Sequence, residues 1–318
     1  MSTATRSPRK TGRCQAKTIG KLVIKWHFPL TYPDQLPYKS RDMKNLTLSL
    51  LLTTAPLFAG VEAPIMAPPA PDCEAGFTFG IEALYLRPYQ SEGQYDSADY
   101  DFGGRGSIGY DFNDCLFVKA TYFGYSTDIE PDDSGDNYDE TDGDLDVSYI
   151  DLVVGEHFKP SEKLTLSPYV GFRWAQFEEQ ATRVRFGDNS DTIYNYGNDF
   201  SGFGVVVGID ATRTLASGFS LYGTAKQAVV FGSSDNTNNS VYLYSDGDVS
   251  SNYDNDNSDD RVLFITELGL GVQFDFNMGS AAGNIRAGVE GQWWSGISDG
   301  DSENTGLAGF VLGANFKL

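Results

Sequence analysis

Apolar and polar residues alternate in ten stretches of residues 76–318, and the connections between these stretches are long and short in turn. Alternation with a period of two predicts strands with one apolar face. The expected strands are 76–87, 100–112, 115–126, 145–158, 164–186, 201–212, 218–231, 261–276, 284–295 and 306–318. Strands that run up and down through a bilayer need tight turns on one side and tolerate long loops on the other. The pattern therefore predicts an all-β, transmembrane, antiparallel up-and-down barrel of ten strands.

The connections and the aromatic residues support this topology. The short connections are 113–114, 159–163, 213–217 and 277–283, and the long ones are 88–99, 127–144, 187–200, 232–260 and 296–305. Both ends of the barrel then fall on the short-turn side, as in bacterial outer-membrane barrels. Aromatic residues lie near the strand ends, including Tyr85, Tyr122, Trp174, Trp293 and Trp294 towards the long loops. We interpret them as part of the girdle expected at a membrane interface. A soluble sandwich would also alternate, but its strands are usually shorter.

The amino-terminal region differs from the rest of the chain. Residues 43–63 have a short basic start, an apolar stretch and small residues, which together indicate a secretory signal peptide. Residues 1–42 form a basic extension that we interpret as a start codon assigned too early. Residues 64–75 are expected to be a periplasmic leader, and 76–318 the outer-membrane barrel.

Negative charge is concentrated in the predicted outer loops. The net charge of the chain is −21, and the five long connections hold twenty-five acidic residues without a Lys or Arg. Such a surface repels nucleic acid. The loops are either solvated, self-repelling segments or bind divalent cations that bridge lipopolysaccharide. Asp142, Asp144 and Asp146 are weak calcium candidates, because the glycine and distal glutamate of an EF-hand loop are missing. Lipid and lipopolysaccharide of the outer membrane are the expected partners.

The faces opposite the apolar ones predict the residues that line the lumen. They are the acids Glu82, Asp151, Asp210, Glu267 and Glu290 and the bases Arg105, Lys119, Arg173, Lys226 and Arg286. These charges either pair into a network that plugs a narrow barrel or line a pore and set its ion preference. Ten strands enclose a lumen much narrower than that of a sixteen-stranded porin.

The remaining residues suggest neither a catalytic set nor a cofactor. No P-loop, nucleophile elbow or clustered Cys/His site occurs, and His157 reads as an ordinary interfacial residue near a periplasmic turn. An enzyme is therefore disfavoured. Cys73 and Cys115 both fall on the short-turn side and are either two unrelated thiols or a periplasmic disulfide.

One set of strand motifs resembles a known family. The stretches are EALYLRP at 82–88, YVGFRWA at 169–175, FSGFGVVVGID at 200–210 and GFSLYG at 218–223. They resemble the Legionella-type major outer membrane protein family of pore-forming barrels. The resemblance implies a pore for passive diffusion of small solutes or ions, either general or cation-preferring. The alternative is a non-conducting surface, adhesion or structural barrel.

Overall fold

The structure is a computed structural model, and it describes residues 74–90, 98–129, 140–187, 190–216, 218–244, 249–279, 281–297 and 304–318. The chain divides into two units, Met1–Pro64 and Ile65–Leu318. All described residues belong to the second unit. The predicted extension and signal peptide therefore lie outside the described residues, and those two assignments stay predictions.

Within the described ranges, eleven strands form one antiparallel sheet. Their bounds are β1 Gly76–Gln90, β2 Asp101–Asp111, β3 Leu116–Ile129, β4 Glu140–Glu156, β5 Phe158–Ser161, β6 Leu164–Arg185, β7 Ser190–Ala216, β8 Phe219–Tyr244, β9 Val249–Met278, β10 Ala281–Ser295 and β11 Thr305–Lys317. Strand β5 is a four-residue segment that pairs only with the start of β6. The other ten strands pair in sequence order, because β4 also pairs with β6.

The sheet closes on itself between its first and last strands. Strands β1 and β11 pair antiparallel from Thr78 opposite Lys317 to Gln90 opposite Thr305. Closure removes the sheet edges, and a closed barrel is one of the few folds that satisfies every backbone polar group within a bilayer. The prediction of a ten-stranded antiparallel barrel is confirmed. No helix long and apolar enough to cross a membrane occurs in the described ranges.

The period of two in the sequence becomes the two faces of the barrel wall. In β3 the side chains of Leu116, Val118 and Tyr122 point outwards and are exposed, whereas Phe117 and Phe123 point inwards and are buried. The same outward exposure recurs on every spanning strand, for example at Val205 and Leu312. Exposing a large apolar side chain to water costs about 1.5–3 kcal/mol. A wall of this kind is stable where its surroundings are lipid.

Two of the predicted long loops are instead mostly strand. Residues 190–200 continue β7, and residues 232–244 and 249–260 continue β8 and β9. The pairing extends to the ends of these strands, with Ser190 opposite Tyr244 and Leu243 opposite Val249. The prediction of loops there was wrong because the apolar pattern stops at the membrane, while the hydrogen-bonded ladder between the strands continues beyond it.

The short-turn side of the barrel is tightly built. Cys115 has a positive φ of 69° in the turn between β2 and β3, where Phe112 and Leu116 share a backbone hydrogen bond. Cys115 is disulfide-bonded. Cys73 lies outside the described residues, so its pairing with Cys115 stays a prediction.

Candidate functional site

The lumen is the candidate site, and its outer half is packed with apolar side chains. Trp294, Phe177 and Phe200 are completely buried there, and the rings of Phe177 and Trp294 lie 6.3 Å apart. They belong to a larger buried cluster that includes Leu84, Leu86, Phe123, Leu145, Val147, Val230, Leu263, Ile265 and Leu307. Large side chains packed to zero exposure leave little free space in this half of the lumen. We call this cluster the outer plug.

The position of Trp294 shows that part of the predicted aromatic girdle was wrong. Trp294 was expected at the membrane interface beside Trp293, but the two side chains point to opposite faces of β10. Trp293 is 46% exposed on the outer wall, whereas Trp294 is buried and its Nε1 donates to Gln292 Oε1 at 3.1 Å. Adjacent residues of a strand alternate in this way, so only one of the pair could join the girdle.

Below the outer plug lies a layer of charged side chains, most of them buried. Seven members are Glu82, Arg105, Asp151, Arg173, Lys226, Glu267 and Glu290, and the eighth is Arg286. The layer holds four acids and four bases, so its formal charges cancel. We call these eight residues the charged layer.

Sheet register places three ion pairs of the charged layer directly across neighbouring strands. Glu82 faces Arg105, Asp151 faces Arg173, and Lys226 faces Glu267. Arg173 binds Asp151 with two hydrogen bonds, from Nε at 2.6 Å and from Nη2 at 2.7 Å. Such two-point contacts fix the orientation of a guanidinium as well as its position.

Further contacts cross the lumen and join these pairs. Glu267 forms an ion pair with Arg173 at 2.6 Å. It accepts hydrogen bonds from Lys226 at 3.1 Å and from the Tyr149 hydroxyl at 2.8 Å. Arg105 donates to Glu82 and to Glu290, each at 2.8 Å, and pairs with Glu267 at 3.5 Å. Glu267 thus contacts three cations and is the centre of the charged layer.

Packing around Arg173 explains how so large a side chain fits. Its guanidinium carbon lies 3.7 Å from the centre of the Tyr149 ring, and the residue has no exposed surface. Gly204 is opposite Arg173 in the neighbouring strand, and a Cβ there would clash with the carbonyl oxygen of Val229. Glycine at that position lets the backbones of β7 and β8 approach each other closely at the level of the charged layer.

The inner half of the lumen is open. A vestibule of about 410 Å³ extends from the charged layer to the short-turn side. Lys119 and Asp210 line it and form an ion pair at 3.4 Å with side chains 31% and 37% exposed. Arg286 bridges the vestibule and the charged layer through its contact with Glu82. The ten predicted lumen residues therefore all lie on the inner face, but eight of them form the charged layer.

At the short-turn mouth, His157 takes part in a polar cluster that sequence reasoning missed. Its Nδ1 is 2.9 Å from Ser167 Oγ and its Nε2 is 3.5 Å from Asp111. Asp111 also pairs with Lys317 at 2.7 Å. Period-two alternation along β2 and β11 would have placed Asp111 and Lys317 on the inner face. The contact of His157 with Asp111 could not be predicted in this way, because it joins separate strands of the folded barrel. His157 is therefore not an ordinary interfacial residue; it contacts polar side chains at the short-turn mouth of the lumen.

The calcium candidates Asp142, Asp144 and Asp146 share the outward face of β4. Alternate residues of a strand are roughly 6.6 Å apart along it, which is wide for ligands of one ion. Within the described ranges, no group of three metal-ligating side chains close enough to hold a metal ion is present. Desolvation, followed by the neighbouring charge of Asp128, raises the pKa of Asp144 above its ordinary value.

A comparison with protein families agrees with this architecture. A family model described as the Legionella pneumophila major outer membrane protein precursor matches residues 69–317. No curated protein sequence matches the chain. A solved major outer membrane protein from Thermus thermophilus is 16% identical, covers 77% of this chain and 99% of its own, and has a TM-score of 0.37. The outer membrane protease OmpT from Escherichia coli is 10% identical, with 80% and 98% covered and a TM-score of 0.39. The localisation is the bacterial outer membrane, as predicted.

Proposed function

This chain belongs to the family of the Legionella pneumophila major outer membrane protein, and from the packing of its lumen we propose that it acts at the cell surface as a closed, non-conducting barrel. The observation that carries the proposal is the outer plug resting on the charged layer. Trp294, Phe177 and Phe200 have no exposed surface, and neither has Arg173 beneath them. An ion would have to displace both layers to pass.

The length of three strands supports a role outside the membrane. Strands β7, β8 and β9 contain 27, 26 and 30 residues. A tilted strand crosses the hydrocarbon core with about 9–11 residues, so roughly 15 residues of each strand project beyond it. This projecting sheet exposes Leu243, Tyr244 and Val249 at its end. Exposed apolar groups on a polar surface often mark a contact site, and we assign the adhesive or structural contact to this sheet.

Planar bilayer recording tests the closed lumen. The refolded wild-type barrel should insert without stable stepwise conductance. The double variant Phe177→Ala, Trp294→Ala shortens two outer-plug side chains and should conduct, whereas Phe172→Ala, on the lipid face, should behave like the wild type. Stable channels from the wild-type protein would refute the proposal.

A pore is the second candidate, and the vestibule favours it. Its 410 Å³ volume reaches from the short-turn mouth to the charged layer, so only the charged layer and the outer plug have to open. A pore of this kind would pass small solutes or ions once both layers had rearranged. Voltage steps during the same recordings would detect it as a conductance that appears only after a step.

We assign no catalytic role to any described residue. Lipid and lipopolysaccharide surround the wall, and the acidic outer residues favour divalent cations as counter-ions. Removal of divalent cations by a chelator should therefore release lipopolysaccharide from the purified barrel. Retention of lipopolysaccharide after chelation would argue against cation bridging.

A further inference from the structure

The membrane-facing wall contains a groove that is lined mainly by outward-facing residues. It has a volume of 730 Å³ and extends across strands β1, β2, β3, β4, β6 and β7. Its floor is formed by Gly104 and Gly106, whose outward positions carry no side chain. A Cβ on Gly106 would meet nothing within 4 Å, and one on Gly104 would meet only the Glu82 carbonyl oxygen at 3.9 Å. These glycines leave an open recess instead of serving a close backbone contact.

One end of the groove is apolar. Its walls there are the side chains of Ile81, Phe102 and Tyr122, which are 67%, 74% and 55% exposed. All three lie on the outward face of the wall. Lipid surrounds this face, so a hydrocarbon chain is the natural occupant of the recess between them.

The other end of the groove is negatively charged. Ser126 lies opposite Asp146, Asp146 lies opposite Glu178, and Glu178 lies opposite Asp199. All four residues line the groove. Asp146 is four residues nearer the outer end of β4 than Ile150, which is exposed on the lipid face. Four residues span about 13 Å along a strand, so the carboxylates lie on the headgroup side of an acyl chain that lies beside the glycines.

From this arrangement we propose that the groove binds a lipid whose headgroup carries a primary ammonium group. The acyl chain would lie over Gly104 and Gly106, and the ammonium would contact Asp146 and Glu178. Charge complementarity favours the ammonium over a bare phosphate, because three carboxylates at the groove end repel an anion. The binding does not depend on whether the lumen conducts.

Native mass spectrometry of the refolded full-length barrel tests this proposal. Micelles would contain equal amounts of phosphatidylethanolamine, which has the ammonium, and phosphatidylglycerol, which lacks it. We expect the wild type to retain phosphatidylethanolamine in about fivefold preference, the scale of one exposed ion pair. Heat-modifiable migration on gels would verify that each variant is folded.

Matched variants test the roles of the two ends of the groove independently. Gly106→Leu fills the floor and should abolish lipid retention. Gly291→Leu is the control, since Gly291 lies in a separate recess, remote from the carboxylates, and a Cβ there meets only the Leu307 carbonyl oxygen at 4.0 Å. Asp146→Asn with Glu178→Gln should remove the preference for the ammonium lipid, whereas Glu156→Gln at the inner end of β4 should keep it.

Three outcomes would overturn the assignment. The wild type could retain the two lipids equally, which would exclude recognition of the ammonium. Gly106→Leu and Gly291→Leu could have the same effect, which would exclude the groove. Retention of phosphatidylglycerol that requires Mg²⁺ would assign the carboxylates to a cation-bridged phosphate instead.

Discussion

Replacement of Glu267 by Gln should destabilise the barrel more than any other single loss of charge in the lumen. Glu267 contacts Arg173 at 2.6 Å, Lys226 at 3.1 Å and Arg105 at 3.5 Å. Arg173 would keep Asp151, and Arg105 would keep Glu82 and Glu290. Lys226, whose side chain is 12% exposed, has Glu267 as its ion-pair partner among the described residues.

The expected cost follows from leaving the Lys226 ammonium without its carboxylate. Breaking a buried pair by removing one partner costs about 3–5 kcal/mol. Asp210→Asn is the matched control, because the ion pair of Asp210 with Lys119 is about one third exposed and should contribute at most about 1 kcal/mol. Urea unfolding in lipid vesicles, followed by Trp fluorescence, measures both variants.

A compensating double variant tests whether the unpaired Lys226 ammonium is the source of the cost. Lys226→Met combined with Glu267→Gln restores neutrality of the charged layer and should recover most of the lost stability. Equal costs for Glu267→Gln and Asp210→Asn would show that the charged layer is hydrated, and that its charges do not act as a buried network. A double variant no more stable than Glu267→Gln alone would show that Lys226 is not the source of the cost.

Three further predictions concern the outside of the barrel. Val205→Arg, on the lipid face, should cost roughly 2–4 kcal/mol if the residue lies near the bilayer midplane, as measured by unfolding in vesicles; no cost would reject that depth. Epitope tags within 130–139 and 245–248, which connect the outer ends of paired strands, should be stained on intact cells, and labelling only after permeabilisation would reverse the topology. Because the pKa of Asp144 is raised, by desolvation and then by the charge of Asp128, the native barrel binds this proton more readily than the unfolded chain. Stability should therefore fall as pH rises from the ordinary aspartate pKa of about 4 through the raised native pKa. Asp144→Asn should flatten this part of the profile of unfolding midpoint against pH, and an unchanged slope would contradict the raised pKa.

The sequence determined which residues of the barrel wall face lipid and which face the lumen, because side chains of a strand alternate between only two faces. Period-two alternation assigned Arg173 to the interior, where the structure buries it, and the apolar faces to lipid, where Val205 and Phe203 are exposed. Strand order followed as well, since short connections force neighbouring strands to pair. The strand ends were less predictable. The ladder of β7, β8 and β9 continues through polar residues, whose sequence resembles that of a solvated loop.

The contents of the lumen were decided by tertiary structure. Alternation placed Arg105 and Glu290 inside, 185 residues apart in sequence, but only barrel closure brings their side chains into contact. The same holds for Trp294 and Phe177, which meet across the lumen from β10 and β6. The alternation along a strand predicts the face on which each side chain lies, because that face depends only on the residue's position along its own strand. Whether the lumen is open or filled depends on the size and charge of side chains from distant strands, and only the closed fold brings these together.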